Sequence, residues 1–154
     1  MEKENLPPSV LSAKNAASRA LFFKIFRIIT SGLMIVHGTT RFLIGGIPIF
    51  GKYLSEQGFP LGVVVAGGIT FFEIIGGGLM ASGRFVQWIA PIFILELTMG
   101  ILMVHAQHGW FVVGLSYNGV EFSIALINSM LFIWADDFSN LTPVNINQSS
   151  DVTP

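Results

Sequence analysis

The sequence predicts an all-α protein, a four-helix transmembrane bundle with both termini on the cytoplasmic side. Hydrophobic residues make up 52% of the 154 residues and charged residues only 11%, whereas a soluble domain has roughly 25% charged residues. The 14 Phe and 17 Gly residues fit membrane helices. Four long apolar segments leave too little remaining sequence to bury them in a water-soluble core, so the bilayer must do it.

The four apolar segments predict helices at about residues 21–44, 61–81, 85–105 and 120–135. Gly45, Gly46 and Pro48 are expected to end the first helix. Aromatic residues mixed with polar ones in the loops at 48–60 and 106–118 are typical of the membrane interface. The chain is therefore divided into a polar lead at 1–20, a four-helix membrane domain at 21–137 and a polar disordered tail at 138–154.

Basic residues indicate the orientation of the bundle. The polar lead and the start of the first helix carry most of them, and Arg84 lies between the second and third helices. On the opposite side, Lys52 is the single Lys or Arg in the two loops. The positive-inside rule then places the N-terminus in the cytoplasm, and four crossings return the C-terminus there. We expect a multi-pass protein of the plasma membrane, in bacteria the inner membrane.

Composition also limits the chemistry. The chain has no cysteine, which excludes disulfides, thiolate nucleophiles and Cys-ligated iron–sulfur clusters. A net charge of −1 and the absence of a phosphate-binding glycine loop argue against a nucleic-acid partner or a nucleotide cofactor. His105-x-x-His108 lacks a third ligand, so no metal is expected. Any redox role would need a bound carrier or a partner protein.

Six ionisable residues lie within or at the edges of the predicted spans, where a charge costs about 2.5–3.5 kcal/mol on insertion scales. Counting along each helix places three of them near the middle of the membrane and three near its outer boundary. The middle layer comprises His37, Glu73 and Glu96, and the outer layer comprises Arg41, His105 and Glu121. The predicted ion pair is Arg41 with Glu121.

His37 and Arg41 are four residues apart and therefore share one helix face. They are candidates for binding an anion or a quinone carbonyl oxygen. The alternative is structural, with Arg41 neutralising Glu121 and His37 bonding to a backbone carbonyl group. Glu73 lies just before three consecutive glycines, which permit close helix packing, and it could act as a buried proton carrier or as an interhelical hydrogen-bond donor.

Several short motifs, in this order and spacing, make the sequence resemble the DoxX family of small four-helix membrane proteins over about residues 21–137. The motifs are His37-Gly38 with Arg41, Gly58-Phe59-Pro60, Glu73 with Gly76-Gly77, Met103 to His105 with Gly109-Trp110-Phe111, and Gly119-Val120-Glu121-Phe122. Two positions depart from the pattern: Arg41 stands where many relatives have lysine, and Glu96 is not part of it.

The family is similar to membrane subunits of thiosulfate:quinone oxidoreductase, so the resemblance implies a quinone-linked subunit or partner of a membrane oxidoreductase. In that role His37 and Arg41 would bind the quinone, and Glu73 or Glu121 would exchange its protons. Membrane lipid, a redox partner protein and a second copy of the chain are the expected partners. The alternatives are a small-solute or proton-coupled carrier and a non-catalytic membrane scaffold.

Overall fold

The computed structural model describes residues 8–114 and 117–141, and the described residues are helical or in connecting turns, with no strand. This confirms the all-α prediction. The helices are α1 (Pro8–Leu43), α2 (Ile47–Glu56), α3 (Gly62–Ala81), α4 (Val86–Gly100) and α5 (Glu121–Leu141). Helix α4 continues through a π-helical turn (Ile101–His105) and a 3₁₀ turn (Ala106–His108).

Three of the described helical segments are long and apolar enough to cross a membrane: Ser12–Leu43, Gly62–Ala81 and Val86–His108. Large apolar side chains cover their outward faces, among them Val36, Ile75 and Leu95, each more than 60% exposed. Exposing so much apolar surface on three neighbouring helices is unfavourable in water but favourable in the hydrocarbon of a bilayer. The chain is a membrane protein.

Three elements differ from the sequence prediction. Helix α5 extends to Leu141, beyond the predicted end near residue 135 and into the start of the predicted tail. Helix α1 begins at Pro8, so part of the predicted polar lead is a helical extension of the first span. Helix α2 occupies the predicted loop at 48–60, with Pro48 in its first turn, where the missing N–H is tolerated. Residues 1–7 and 142–154, which include most of the predicted disordered tail, lie outside the described residues.

The helices pack as two antiparallel pairs, α1 with α3 and α4 with α5, and α2 packs on the beginning of α3. We call the end with the α3–α4 connection the turn end, and the end with α2 and the 109–120 connection the loop end. The buried core is centred on the turn end and comprises Met34, Met80, Val86, Ile89, Ala90, Phe93, Leu126, Met130 and Ile133. Helices α3 and α4 contact each other far less than α1 and α3 do.

Close backbone approach between α1 and α3 depends on Gly38. A Cβ atom on Gly38 would lie 2.8 Å from both the Glu73 Cβ and the Thr70 carbonyl oxygen. Only a residue without a side chain lets the two helices meet there, which is how small residues act in membrane helix packing. Gly38 therefore sets the position of Glu73 relative to α1.

Replacing Gly38 with Ala is expected to destabilise the protein by about 1–3 kcal/mol, because the added methyl group forces two packed helices apart. Gly32→Ala is the matched control on the same helix, since a Cβ atom there has no neighbour within 4 Å. Thermal unfolding in detergent, followed by tryptophan fluorescence, should show a lower midpoint for Gly38→Ala alone. Equal midpoints for both variants would contradict the packing argument.

Candidate functional site

A cavity of about 770 Å³ lies at the loop end, between the α1–α3 pair and the α4–α5 pair. Helix α2 and the 109–120 connection contribute to its wall at this end. Most of its lining is aliphatic or aromatic. The polar side chains that line it are His37, Arg41, Tyr53, Glu73, Glu96, His105, Asn118 and Ser123. Five of the six ionisable residues predicted within or at the edges of the spans thus surround an open space and are not only a packed network; the exception is Glu121.

The strongest polar contact in the cavity wall is the ion pair between Arg41 and Glu73. The Arg41 Nη1 atom donates to Glu73 Oε2 at 2.5 Å, and Nη2 donates to Oε1 at 3.2 Å. Nη1 also lies 3.2 Å from the Thr70 hydroxyl oxygen, and the guanidinium stacks over the Phe50 ring. The Glu73 side chain is 1% exposed. This bidentate geometry holds both side chains in place and gives the buried Glu73 carboxylate a counterion.

The partner of Arg41 is therefore Glu73, not the predicted Glu121. The prediction assigned Arg41 to the outer layer from its position near the end of the first helix. However, side chains on a helix point back toward its N-terminus, and a long arginine side chain reaches about one turn deeper than its Cα atom. Helix α2 also covers this end of α1, which leaves Arg41 inside the protein.

Glu96 on α4 lines the same cavity as the ion pair, and its carboxyl group is near enough to that of Glu73 to interact with it electrostatically. His37 lines the same cavity one helical turn from Arg41. The structure thus brings together three of the predicted site residues, His37, Arg41 and Glu73. It adds Glu96, which the family motifs do not include. A carboxyl group in the middle of an apolar segment was the sequence signal for it.

A π-helical turn shapes the α4 side of the cavity. A π turn shifts the backbone hydrogen-bonding register and often occurs at functional sites. Here the Tyr53 hydroxyl group on α2 donates to the Met103 carbonyl oxygen at 2.6 Å. The sequence indicated Tyr53 only as an interfacial aromatic residue. The contact ties α2 to α4 across the loop end of the cavity.

The two histidines near the end of α4 bond to the backbone. His105 Nδ1 lies 2.9 Å from the Asn118 carbonyl oxygen, and His108 Nδ1 lies 2.9 Å from that of Val104. Asn118 has a φ of 60°, a left-handed conformation that asparagine adopts more readily than most residues. The His105 contact holds the 109–120 connection against the end of α4, whereas the His108 contact lies within the helical turns themselves.

Glu121, a candidate proton carrier, is not among the residues that line the cavity. Its Oε1 atom accepts a hydrogen bond from the Val112 backbone N–H at 2.9 Å. Next to it, a Cβ atom on Gly119 would lie within 2.5 Å of the Trp110 carbonyl oxygen. The glycine and the glutamate of this motif therefore close the 109–120 connection onto the start of α5.

The fold and the cavity define a class, a small helical membrane protein with a buried ion pair beside an apolar cavity. A family model also matches the chain. The DoxX model matches residues 22–106, more than half of the chain, and the protein belongs to the DoxX family. An uncharacterized protein of Haemophilus influenzae is 31% identical over 116 residues, 75% of this chain and 81% of that protein. No solved structure matches the chain.

A double-mutant cycle distinguishes the observed ion pair from the predicted one. Arg41→Met alone is expected to cost about 3–5 kcal/mol, because it leaves Glu73 buried without a counterion. Arg41→Met combined with Glu73→Gln should be less destabilising than the sum of the single variants, whereas Arg41→Met with Glu121→Gln should be additive within about 0.5 kcal/mol. The free energy of unfolding in mixed micelles provides the measurement. Coupling of Arg41 to Glu121 but not to Glu73 would contradict the observed pairing.

Proposed function

We propose that this protein binds a quinone-type ligand in the loop-end cavity and serves as a subunit or partner of a membrane oxidoreductase. The observation that supports the proposal is the cavity itself, which combines an apolar lining with one concentrated polar region at Arg41, Glu73, Glu96 and His37. Ligand pockets generally have this composition, with a few polar groups that orient an otherwise apolar ligand.

The polar region suits the two carbonyl oxygens of a quinone ring. A carbonyl oxygen accepts hydrogen bonds, and arginine has five N–H donors. Arg41 uses part of that set on Glu73 and Thr70, and its remaining donors can serve a ligand. The imidazole of His37 supplies a further donor or acceptor on the same helix face. A quinone, when bound, would supply the electron-accepting chemistry that a chain without cysteine lacks.

The opening of the cavity suits a ligand with a long apolar tail. Gly68 on α3 and Leu95 and Met99 on α4 line the cavity and are also exposed at the protein surface. Helices α3 and α4 have little contact with each other, which leaves space between these residues. In a bilayer this opening faces lipid, so a hydrocarbon tail can leave the cavity while the ring stays at the polar region.

We also propose that α5 forms a fourth crossing, antiparallel to α4, so that both termini lie in the cytoplasm and the protein is a multi-pass protein of the plasma membrane. Basic residues support this orientation: Arg19, Lys24, Arg27 and Arg84 lie toward the turn end. The cavity then opens in the outer half of the membrane. Electrons would reach the ligand from a redox partner protein at that face, and a second copy of the chain is a further expected partner.

A proton-coupled carrier is the second candidate function. The specific observation in its favour is the pair of neighbouring carboxyl groups, Glu73 and Glu96, in one cavity, since such groups mark proton pathways in membrane proteins. A non-catalytic scaffold would require no cavity around these charges, and the cavity therefore favours a ligand-binding role.

Quinone binding can be tested with decylubiquinone and the purified protein in lipid nanodiscs. Saturable quenching of tryptophan fluorescence is expected. Gly68→Phe should weaken binding at least about tenfold, a change of about 1.4 kcal/mol, because the ring would fill the opening, where a Cβ atom on Gly68 has no neighbour within 4 Å.

Gly78→Phe is the matched control, on the same helix and with equally open space around it, but outside the cavity. It should bind decylubiquinone like the unmodified protein. Failure of the unmodified protein to bind, together with no quinone in its lipid extract, would reject the proposed function. Uptake of protons into liposomes driven by a solute gradient would then favour the carrier.

A further inference from the structure

We propose that Glu96 holds the exchangeable proton of the cavity, while Glu73 is the fixed counterion of Arg41. This assignment extends the proposed function by naming its proton donor. It rests on that function only in taking a quinone as the group that receives the proton. It also separates two carboxyl groups that the sequence alone presents as equivalent mid-membrane acids.

Glu73 is assigned as the permanent carboxylate by its contacts. Both of its oxygens accept from the Arg41 guanidinium, and Thr70 supports the same guanidinium group. The Thr70 hydroxyl group itself donates to the Ala66 carbonyl oxygen at 2.7 Å, which orients its lone pairs toward Arg41. Protonating Glu73 would leave the buried arginine charge without its partner, which is strongly unfavourable away from water.

Glu96 is assigned as the proton carrier by the charges around it. It lines the same apolar cavity as Arg41 and Glu73. Arg41 is the one Lys or Arg side chain among the described residues that line this cavity, and it is bound to both Glu73 oxygens. A second carboxylate there would have no counterion of its own, which favours its protonated form. With Glu73 bound to Arg41, the proton therefore resides on Glu96. The three side chains then have no net charge, whereas ionised Glu96 would leave a charge of −1 in an apolar cavity.

The other groups around Glu96 are largely occupied. On α2 the Tyr53 hydroxyl group donates to the Met103 carbonyl oxygen, and beyond α4 the His105 ring bonds to the Asn118 carbonyl oxygen. Helix α5 contributes only uncharged groups to the lining, which are Phe122, Ser123 and Leu126. On α1, Arg41 is paired and His37 is one turn away. Among the described residues that line the cavity, Glu96, His37 and the second ring nitrogen of His105 are left as groups able to exchange a proton with a ligand, and Glu96 is the one carboxyl group among them.

The proton transfer can be written in balanced form. Reduction of a quinone to a quinol takes up two electrons, here from the redox partner protein, and two protons. The O–H bond of Glu96 breaks as a new O–H bond forms on the quinone oxygen, which leaves Glu96 as a carboxylate beside Glu73. Repulsion between the two carboxylates then favours uptake of another proton from water at the loop end. Glu96 then donates this newly bound proton to the quinone as the second of the two protons.

The assignment is tested by infrared spectroscopy of the full chain in nanodiscs, without ligand and at neutral pH. A protonated carboxylic acid gives a carbonyl stretching band that an ionised carboxylate lacks. This band is expected in the unmodified protein, should disappear in Glu96→Gln, and should remain in Glu56→Gln, where the exposed residue pairs with Lys52. Absence of the band in the unmodified protein, or its persistence in Glu96→Gln, would overturn the proposal.

Two conservative variants show which carboxyl group carries the proton. Aspartic and glutamic acids absorb at different frequencies, so Glu96→Asp should shift the band, whereas Glu73→Asp should leave its frequency in place. The reverse pattern would assign the proton to Glu73 and overturn the proposal. Because no ligand is present, this result is independent of decylubiquinone binding, and either proposal can fail while the other stands.

Discussion

The ion pair between Arg41 and Glu73 is the constraint on which the arrangement of this bundle depends. A guanidinium and a carboxylate inside an apolar protein must satisfy each other, because neither lipid nor packed hydrocarbon side chains can solvate a charge. The pair joins α1 to α3, and Gly38 removes the side chain that would otherwise separate the two helices at that level. The pair thereby fixes the positions of α1 and α3, which form one wall of the cavity, independently of any ligand.

The second helix pair is held by weaker and more local contacts. Backbone hydrogen bonds join the two ends of the 109–120 connection, and Glu121 accepts a further hydrogen bond from its backbone. His105 forms the hydrogen bond between this connection and the end of α4. The Tyr53 hydroxyl group then links this half of the protein to α2. With little contact between α3 and α4, the two pairs stay together at the turn end and apart at the loop end. The cavity is the space that remains between them.

The motifs that mark this family have different physical roles in the structure. His37, Arg41 and Glu73 line the cavity, whereas Gly119 and Glu121 close a connection next to it. A motif read from sequence does not distinguish these roles, because a glutamate that caps a loop and one that faces a cavity look the same. Glu96, outside the motifs, lines the same cavity as Glu73 from the α4 side.

The sequence by itself determined the helical class, the positions of the three long apolar spans and the presence of ionisable groups within them, because helix length and hydropathy are local properties of the chain. Only the tertiary structure decided that Arg41 pairs with Glu73, that α2 is a helix and that the polar side chains surround a cavity. The physical reason is that partners of buried charges are chosen by helix packing, and packing depends on where residues as small as Gly38 let two backbones approach.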